Sequence, residues 1–187
     1  MYLRQKGLTL GTVFLLIIII VPSRGMNVSI QPCLCTMDST ILYVGGPGPN
    51  NYTTIQDAIQ DATDGDTVFV YDDSSPYYEH VIVDKSIRLL GENRNTTVVD
   101  GENIGDVVIF SADNITLSGF TIQNSGDTPK VDAGVESRSN RDIITGNSIL
   151  QNGEFAVGIL LNGSSDTLVT ENFISENGNE GIFLEKA

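Results

Sequence analysis

The apolar residues of the chain fall into three patterns. From Leu8 to Val21 they are almost unbroken and include Ile17-Ile18-Ile19-Ile20. Between Thr53 and Ala62 they recur at Ile55, Ala58, Ile59 and Ala62, the i, i+3, i+4, i+7 spacing of an amphipathic helix. A hydroxyl N-cap and Asp57 in the first turn predict its start, and Gly65-Asp66 predicts its end. Beyond it the apolar positions alternate in short runs, starting with Thr67-Val68-Phe69-Val70-Tyr71. That period belongs to strands with one buried face.

These short runs repeat. Leu117-Ser118-Gly119-Phe120-Thr121-Ile122 is followed by Ile144-Thr145-Gly146-Asn147-Ser148-Ile149 and by Val169-Thr170-Glu171-Asn172-Phe173-Ile174. Each continues through a polar stretch that closes on glycine, at Gly126, Gly153 and Gly178. The spacing is 27 residues from Leu117 to Ile144 and 25 from Ile144 to Val169. A second element, Gly134-Val135-Glu136-Ser137, recurs as Gly158-Ile159-Leu160-Leu161 and Gly181-Ile182-Phe183-Leu184. A more divergent copy begins at Ile87-Arg88-Leu89-Leu90-Gly91. A unit of this kind cannot bury its apolar face alone and must stack on its neighbours. Stacking predicts three interior rows: Val135, Ile159 and Ile182; Leu117, Ile144 and Val169; Ile122, Ile149 and Ile174. An all-β parallel β-helix follows, with the amphipathic helix capping its first rung. A leucine-rich repeat has a similar period but would show several leucines per unit, whereas β-branched residues and glycine dominate here. The final strand ends at Glu185-Lys186-Ala187 with its apolar face calling for another rung, so the pattern predicts a solenoid truncated at its C-terminus.

The leader changes the picture of where the protein acts. Arg4 and Lys6 precede the apolar run, and Ser23-Arg24-Gly25 follows it. That is the layout of a secretory signal, and the run is short for a membrane span, which needs roughly 20 residues. The expected organisation is a signal peptide at 1–25, a linker at 26–42 and a β-helix domain at 43–187, in a secreted or cell-surface protein. Uncleaved, the leader would be the only membrane contact. The segment from Tyr43 to Asn51 is expected to be a connector rich in glycine and proline.

Charge narrows the partners. The 187 residues carry 24 acidic against 10 basic side chains, a net charge of −14 that becomes −17 once Arg4, Lys6 and Arg24 leave with the leader. Nucleic acid is excluded as a partner, since phosphate binding needs a basic surface. Two cysteines rule out a disulfide scaffold.

Four strings then stand out: Thr54-Ile55-Gln56-Asp57-Ala58-Ile59, Gly65-Asp66-Thr67-Val68, Tyr78-Glu79-His80-Val81 and Lys85-Ser86-Ile87-Arg88-Leu89-Leu90-Gly91-Glu92. Together they resemble the opening of right-handed parallel β-helix proteins of the pectin-lyase-like superfamily, and in particular the NosD-like, carbohydrate-binding and sugar-hydrolase (CASH) domains. The Ile-Thr-Gly-Asn-x-Ile units are similar to the repeats of that family. The resemblance implies an exported domain and a polysaccharide or cell-surface glycan as partner. It leaves activity open among lyases, hydrolases, epimerases, accessory proteins and inert adhesins.

Three chemistries compete. Glycoside hydrolysis needs two carboxylates across a groove, and the acids expected to face outward are Glu136, Asp142, Asp166, Glu171, Glu176 and Glu180. Lyase chemistry needs a base, with Ca²⁺ held by acidic side chains as the one ion it would admit. Arg138, Arg141 and Asp142 form the mixed-charge patch that is the first catalytic candidate, and alignment predicts an ion pair between Arg141 and Asp166 on the next rung. Copper delivery, implied by the NosD-like resemblance, needs soft or imidazole donors; the chain offers His80 and the run Cys33-Leu34-Cys35-Thr36-Met37. No metal or cofactor site is assigned on these grounds. Against these chemistries stands the reading the sequence favours, an exported domain that binds carbohydrate or presents a rigid cell-surface scaffold without catalysis. Glu136 and Phe183 lie on one predicted outward row, where an aromatic ring can stack on a sugar, and Tyr71, Tyr77 and Tyr78 near the cap form a second aromatic group. Asn147 with Asn172, and Asn152 with Asn177, are expected to form amide ladders at turns that use the left-handed region.

Overall fold

The computed structural model describes residues 39–186. The leader and the Cys33-Leu34-Cys35-Thr36-Met37 run lie outside the described residues. An edge strand β1 (Ile41–Val44) comes first, then helix α1 (Ile55–Asp61). Five coils follow, each of three short strands. They comprise β2 (Thr67–Val70), β3 (Tyr77–Tyr78) and β4 (Val81–Val83); β5 (Arg88–Gly91), β6 (Val98–Asp100) and β7 (Val108–Phe110); β8 (Thr116–Ser118), β9 (Thr121–Gln123) and β10 (Ala133–Ser137); β11 (Ile143–Thr145), β12 (Ser148–Leu150) and β13 (Val157–Asn162); β14 (Leu168–Thr170), β15 (Phe173–Ser175) and β16 (Ile182–Glu185).

Successive coils pair in parallel and build three sheets. Sheet A runs β1-β2-β5-β8-β11-β14, sheet B β3-β6-β9-β12-β15 and sheet C β4-β7-β10-β13-β16. This is the parallel β-helix that the repeats predict, with the right hand that the family resemblance implies. Its three interior rows hold in register: Leu89, Leu117, Ile144 and Val169 in sheet A; Val99, Ile122, Ile149 and Ile174 in sheet B; Val81, Val108, Val135, Ile159 and Ile182 in sheet C. Ile122, Ile144, Ile149 and Ile159 are fully buried, and each such side chain contributes about 1.5–3 kcal/mol. Val169 and Ile174 are only half-buried and Ile182 is exposed, because they belong to the last coil described.

Three corners per coil bend the chain, and from Asn114 onward each uses a residue with positive φ. Asn114, Arg141 and Asp166 hold the corner from sheet C to sheet A, Gly119, Gly146 and Glu171 the corner from A to B, and Asn124, Gln151 and Glu176 the corner from B to C. The amide ladders exist, but their asparagines are not the left-handed residues: Gly146 precedes Asn147 and takes the φ of 65°. The Asn147 side chain is thereby free to act as a rung-to-rung clamp. Its Oδ1 accepts from Phe120 N–H at 3.1 Å and its Nδ2 donates to Leu117 O at 3.0 Å and to Asn172 Oδ1 at 3.1 Å. Asn152 repeats the pattern with Ser125 N–H and Asn177 Oδ1.

The cap differs from its expectation in one respect. Thr54 accepts from Asp57 N–H as the N-cap, and α1 buries Ile55, Ala58 and Ile59 against β1, β2 and β4. Charges of the first coil hold both helix ends: Glu79 accepts from Ile55 and Gln56 N–H, and Lys85 Nζ donates to Ile59 O and Gln60 O. Each charge has the sign that complements its end of the helix dipole. The segment expected to be connector, however, starts as strand. Ile41–Val44 pairs residue for residue with Thr67–Val70, so the sheet begins two residues before the expected boundary at Tyr43. Its inward Val44 is buried and its outward Ile41 and Tyr43 are exposed.

Candidate functional site

Two outer faces carry polar or aromatic side chains that the core does not consume. On sheet C, the outward row runs Ile109, Glu136, Leu160, Phe183 across four rungs. Asp106, just before β7, sits beside Glu136. Its Oδ1 accepts from Ala133 N–H at 2.8 Å, and its Oδ2 lies 3.7 Å from Arg138 Nη2. Arg138 donates to Glu136 Oε2, and Asn162 Nδ2 donates to Glu136 Oε1 at 3.2 Å. Three successive rungs thus meet at one carboxyl pair. Burial, then the neighbouring Glu136 carboxylate, pushes Asp106 up to about 7. Burial would raise Glu136 too, but hydrogen bonds from Arg138, Asn162 and Asp106 and the Arg138 charge hold it below the ordinary carboxylate range. The proton of the pair therefore sits on Asp106 and is released around neutrality. Access is limited: the Asp106 and Glu136 side chains are 9% and 3% exposed, while Arg138 is 52% exposed above them.

The other candidates from the mixed-charge patch separate. Asp142 is not outward but fully buried in the corner from sheet C to sheet A. It accepts from Ile115 N–H at 2.9 Å and from the Ser137 and Ser139 hydroxyls, which makes it a fastener of the corner. Arg141 pairs with Asp113 at 2.8 Å and with Asn114 Oδ1 at 3.1 Å, not with Asp166. Arg141 and Asp166 occupy equivalent left-handed corner positions, and the guanidinium reaches back one rung where an acid already stands. Asp166, Glu171 and Glu176 lie at three different corners, so they form no groove. Phe183 lies two rungs from Glu136 with Leu160 between them, and Lys130 Nζ sits 4.6 Å from its ring centroid. Tyr77 is buried and donates to Tyr71 O at 2.7 Å. Tyr78 is exposed on sheet B.

Sheet A carries the more open feature. Tyr43 and Phe69 stand opposite each other on β1 and β2, with Leu90 next in the same outward row. Ile41, Thr67 and Arg88 form the parallel row beside them. The Tyr71 ring closes the group, 5.9 Å from Tyr43 in a stacked arrangement and 5.1 Å from Phe69 edge-on. Tyr71 lies directly against the Gly46 backbone, where a Cβ would meet its ring at 2.5 Å. These residues line an open cavity of about 350 Å³. Tyr71 was visible as an aromatic near the cap. Tyr43 and Phe69 became visible as partners only with β1 in register, and Asp106 precedes a strand whose copy of the repeat is too divergent to align.

A family model described as periplasmic copper-binding protein (NosD) matches residues 50–187. The chain belongs to the NosD family. Solved structures agree on the fold. A pectin methylesterase mutant in complex with a hexasaccharide has a TM-score of 0.50 at 15% identity, covering 71% of this chain and 48% of that one. Pectin methylesterase PemA from Erwinia chrysanthemi has a TM-score of 0.51 at 13% identity, covering 72% and 54%. The chain thus spans about half the length of these enzymes. A search of curated proteins returns no significant match.

The family description raises copper, and the described residues of this NosD-family chain do not fit it. Cu ions need converging soft or imidazole donors. His80 is the one histidine, and its Nδ1 is taken up at 2.8 Å from Asp106 O. Among the described residues no three His, Cys, Asp or Glu side chains group as a metal site. Cys33, Cys35 and Met37 lie outside them. Among the described residues no helix is long and apolar enough to cross a membrane.

Proposed function

We propose that this NosD-family chain is an exported, non-catalytic β-helix domain that binds a polysaccharide on the outer face of sheet A. The observation that carries this reading is the shelf of Tyr43, Phe69 and Tyr71, a partly exposed aromatic group on and just after two paired strands, beside an open cavity. Aromatic faces stack on the apolar faces of sugar rings, and a strand-borne shelf loses little side-chain freedom when it binds. The leader pattern and the periplasmic family description support export to the cell surface or medium. The hexasaccharide complex of the similar esterase supports a glycan as partner. Affinity electrophoresis of the protein through polysaccharide gels tests the reading: retardation by at least one glycan, relieved by Tyr43→Ala, is expected. Unretarded migration through every glycan sinks it.

One observation favours a second reading, a polysaccharide lyase or hydrolase. Asp106 holds a proton near neutrality beside Glu136 and Arg138, and a carboxyl poised near the working pH is what general acid–base catalysis uses. Release of unsaturated or reducing sugar, lost in Asp106→Asn, would establish it. Its weakness is the sealing of both carboxylates.

A further inference from the structure

Resting on the glycan-binding assignment of the sheet A shelf, we propose that its ligand is a neutral polysaccharide lying along the solenoid axis, and that acidic polysaccharides are excluded. The charges flanking the shelf decide the class. At the Tyr71 end stand Asp72, Asp73 and Glu92. Asp73 accepts from Gly46 N–H at 2.9 Å, Glu92 from Asp72 N–H at 3.1 Å and Asp72 from the Thr96 hydroxyl. Each carboxylate keeps acceptor capacity beyond those bonds. At the other flank stands Arg88, exposed and in no ion pair among the described residues. Three anions thus stand at the Tyr71 end of the aromatic face, with Arg94 exposed on the stretch after Glu92 and Arg88 at the other flank, in a chain whose net charge is −14. An acidic polymer brought to this face meets net repulsion. Neutral sugars meet none, since their hydroxyls donate to the carboxylates and accept from the guanidinium.

The register supplies the direction. The row Tyr43, Phe69, Leu90 continues as Ser118, Thr145 and Thr170 down sheet A, with rungs about 4.8 Å apart. A chain laid across the rungs stacks on rings at one end and reaches a ladder of hydroxyls at the other. A chain laid along the strands would leave the shelf after one sugar and run onto the acids beyond Tyr71.

Titration calorimetry on the full chain with a neutral mannan or β-glucan and with polygalacturonate, at low and high salt, decides the matter. The neutral polymer is expected to bind with little salt dependence and the polyuronate not to bind at either salt. Tyr43→Ala and Phe69→Ala should each weaken neutral binding about 2- to 12-fold. Phe69→Leu, which keeps apolar bulk and removes the ring, should do likewise if the alanine variant fails to fold. Polyuronate binding that is tighter than neutral binding, and is lost both at high salt and in Arg88→Gln, would overturn the neutral class while leaving a glycan-binding shelf in place. Binding of neither polymer class would remove the glycan-binding reading and this assignment together.

Discussion

Sheets A and C present outer faces built from the same repeat, and the two faces do opposite things with their side chains. On sheet C the row through Glu136 closes on itself: Arg138, Asn162 and Asp106 consume its carboxylate. On sheet A the row through Tyr43 and Phe69 stays open, and its rings touch one another and solvent. The sheet C cluster has the perturbed proton affinity that flags functional groups, and the sheet A shelf has the open cavity. Structural ion pairs perturb pKa values as well as active sites do, so accessibility has to break the tie. The contrast teaches that, in a solenoid, cross-rung hydrogen bonding of an acid is a stabilising device unless a cavity opens over it.

Replacing a sheet C group should therefore cost stability, and replacing a sheet A group should cost binding. The largest effect is expected for Glu136→Ala, which leaves Arg138 and Asn162 without their buried acceptor. Denaturant unfolding should show a loss of about 2–3 kcal/mol with glycan affinity unchanged. If affinity falls instead, the two faces are coupled and the contrast fails.

Acidity sharpens the same contrast. Asp106 has a folded-state pKa raised from 3.8 to about 7, so the folded state holds a proton that the unfolded chain releases. Its contribution is complete below its ordinary pKa and is lost as pH climbs towards 7. Asp66 has the opposite sign. Backbone hydrogen bonds from Thr40 and Thr63 lower its pKa, so its contribution is present above the ordinary value and disappears as pH falls through the lowered one. Unfolding midpoints across a pH series should decline on the neutral side, and Asp106→Asn should flatten that decline alone. An unchanged slope in the variant would mean that another group titrates there.

Phe69→Ala should change stability by less than about 1 kcal/mol, because its ring is only partly buried, while the glycan affinity drops. The smallest effect belongs to Arg141→Ala. Its partner Asp113 lies on an exposed corner, where ion pairs are weak, and neither the melting curve nor glycan binding should move. A clear loss of binding in that variant would restore the corner patch as a site.

Much of the fold was legible in the order of residues. Periods of 25 and 27 residues with isoleucine at fixed offsets dictate coils of equal length, and alternation assigns Ile122, Ile149 and Ile174 to the interior. The helix was legible through its N-cap and spacing, and the asparagine ladders through their equal turn positions. These are local or periodic signals, and each copy of the repeat reinforces the next. The functional faces were legible only in fragments. Glu136 and Arg138 were each singled out, one as an outward acid and the other in the charged patch, but not as partners, and Asp142 looked outward because alternation stops at a corner, where a carboxylate turns in to meet Ile115 N–H.

The sequence by itself determined that the chain coils and which side chains of its strands point inward. Only the tertiary structure decided that Asp106 shares a proton's neighbourhood with Glu136, that Arg141 reaches back to Asp113, and that Tyr43 joins Phe69 and Tyr71. The reason is geometric. Interior rows recur at a period that can be counted along the chain, whereas outer contacts such as Asn124–Asp100, Asn162–Glu136 and Arg141–Asp113 join residues 24 to 28 positions apart through corners of variable length, and a shift of one residue at a corner changes which side chains meet.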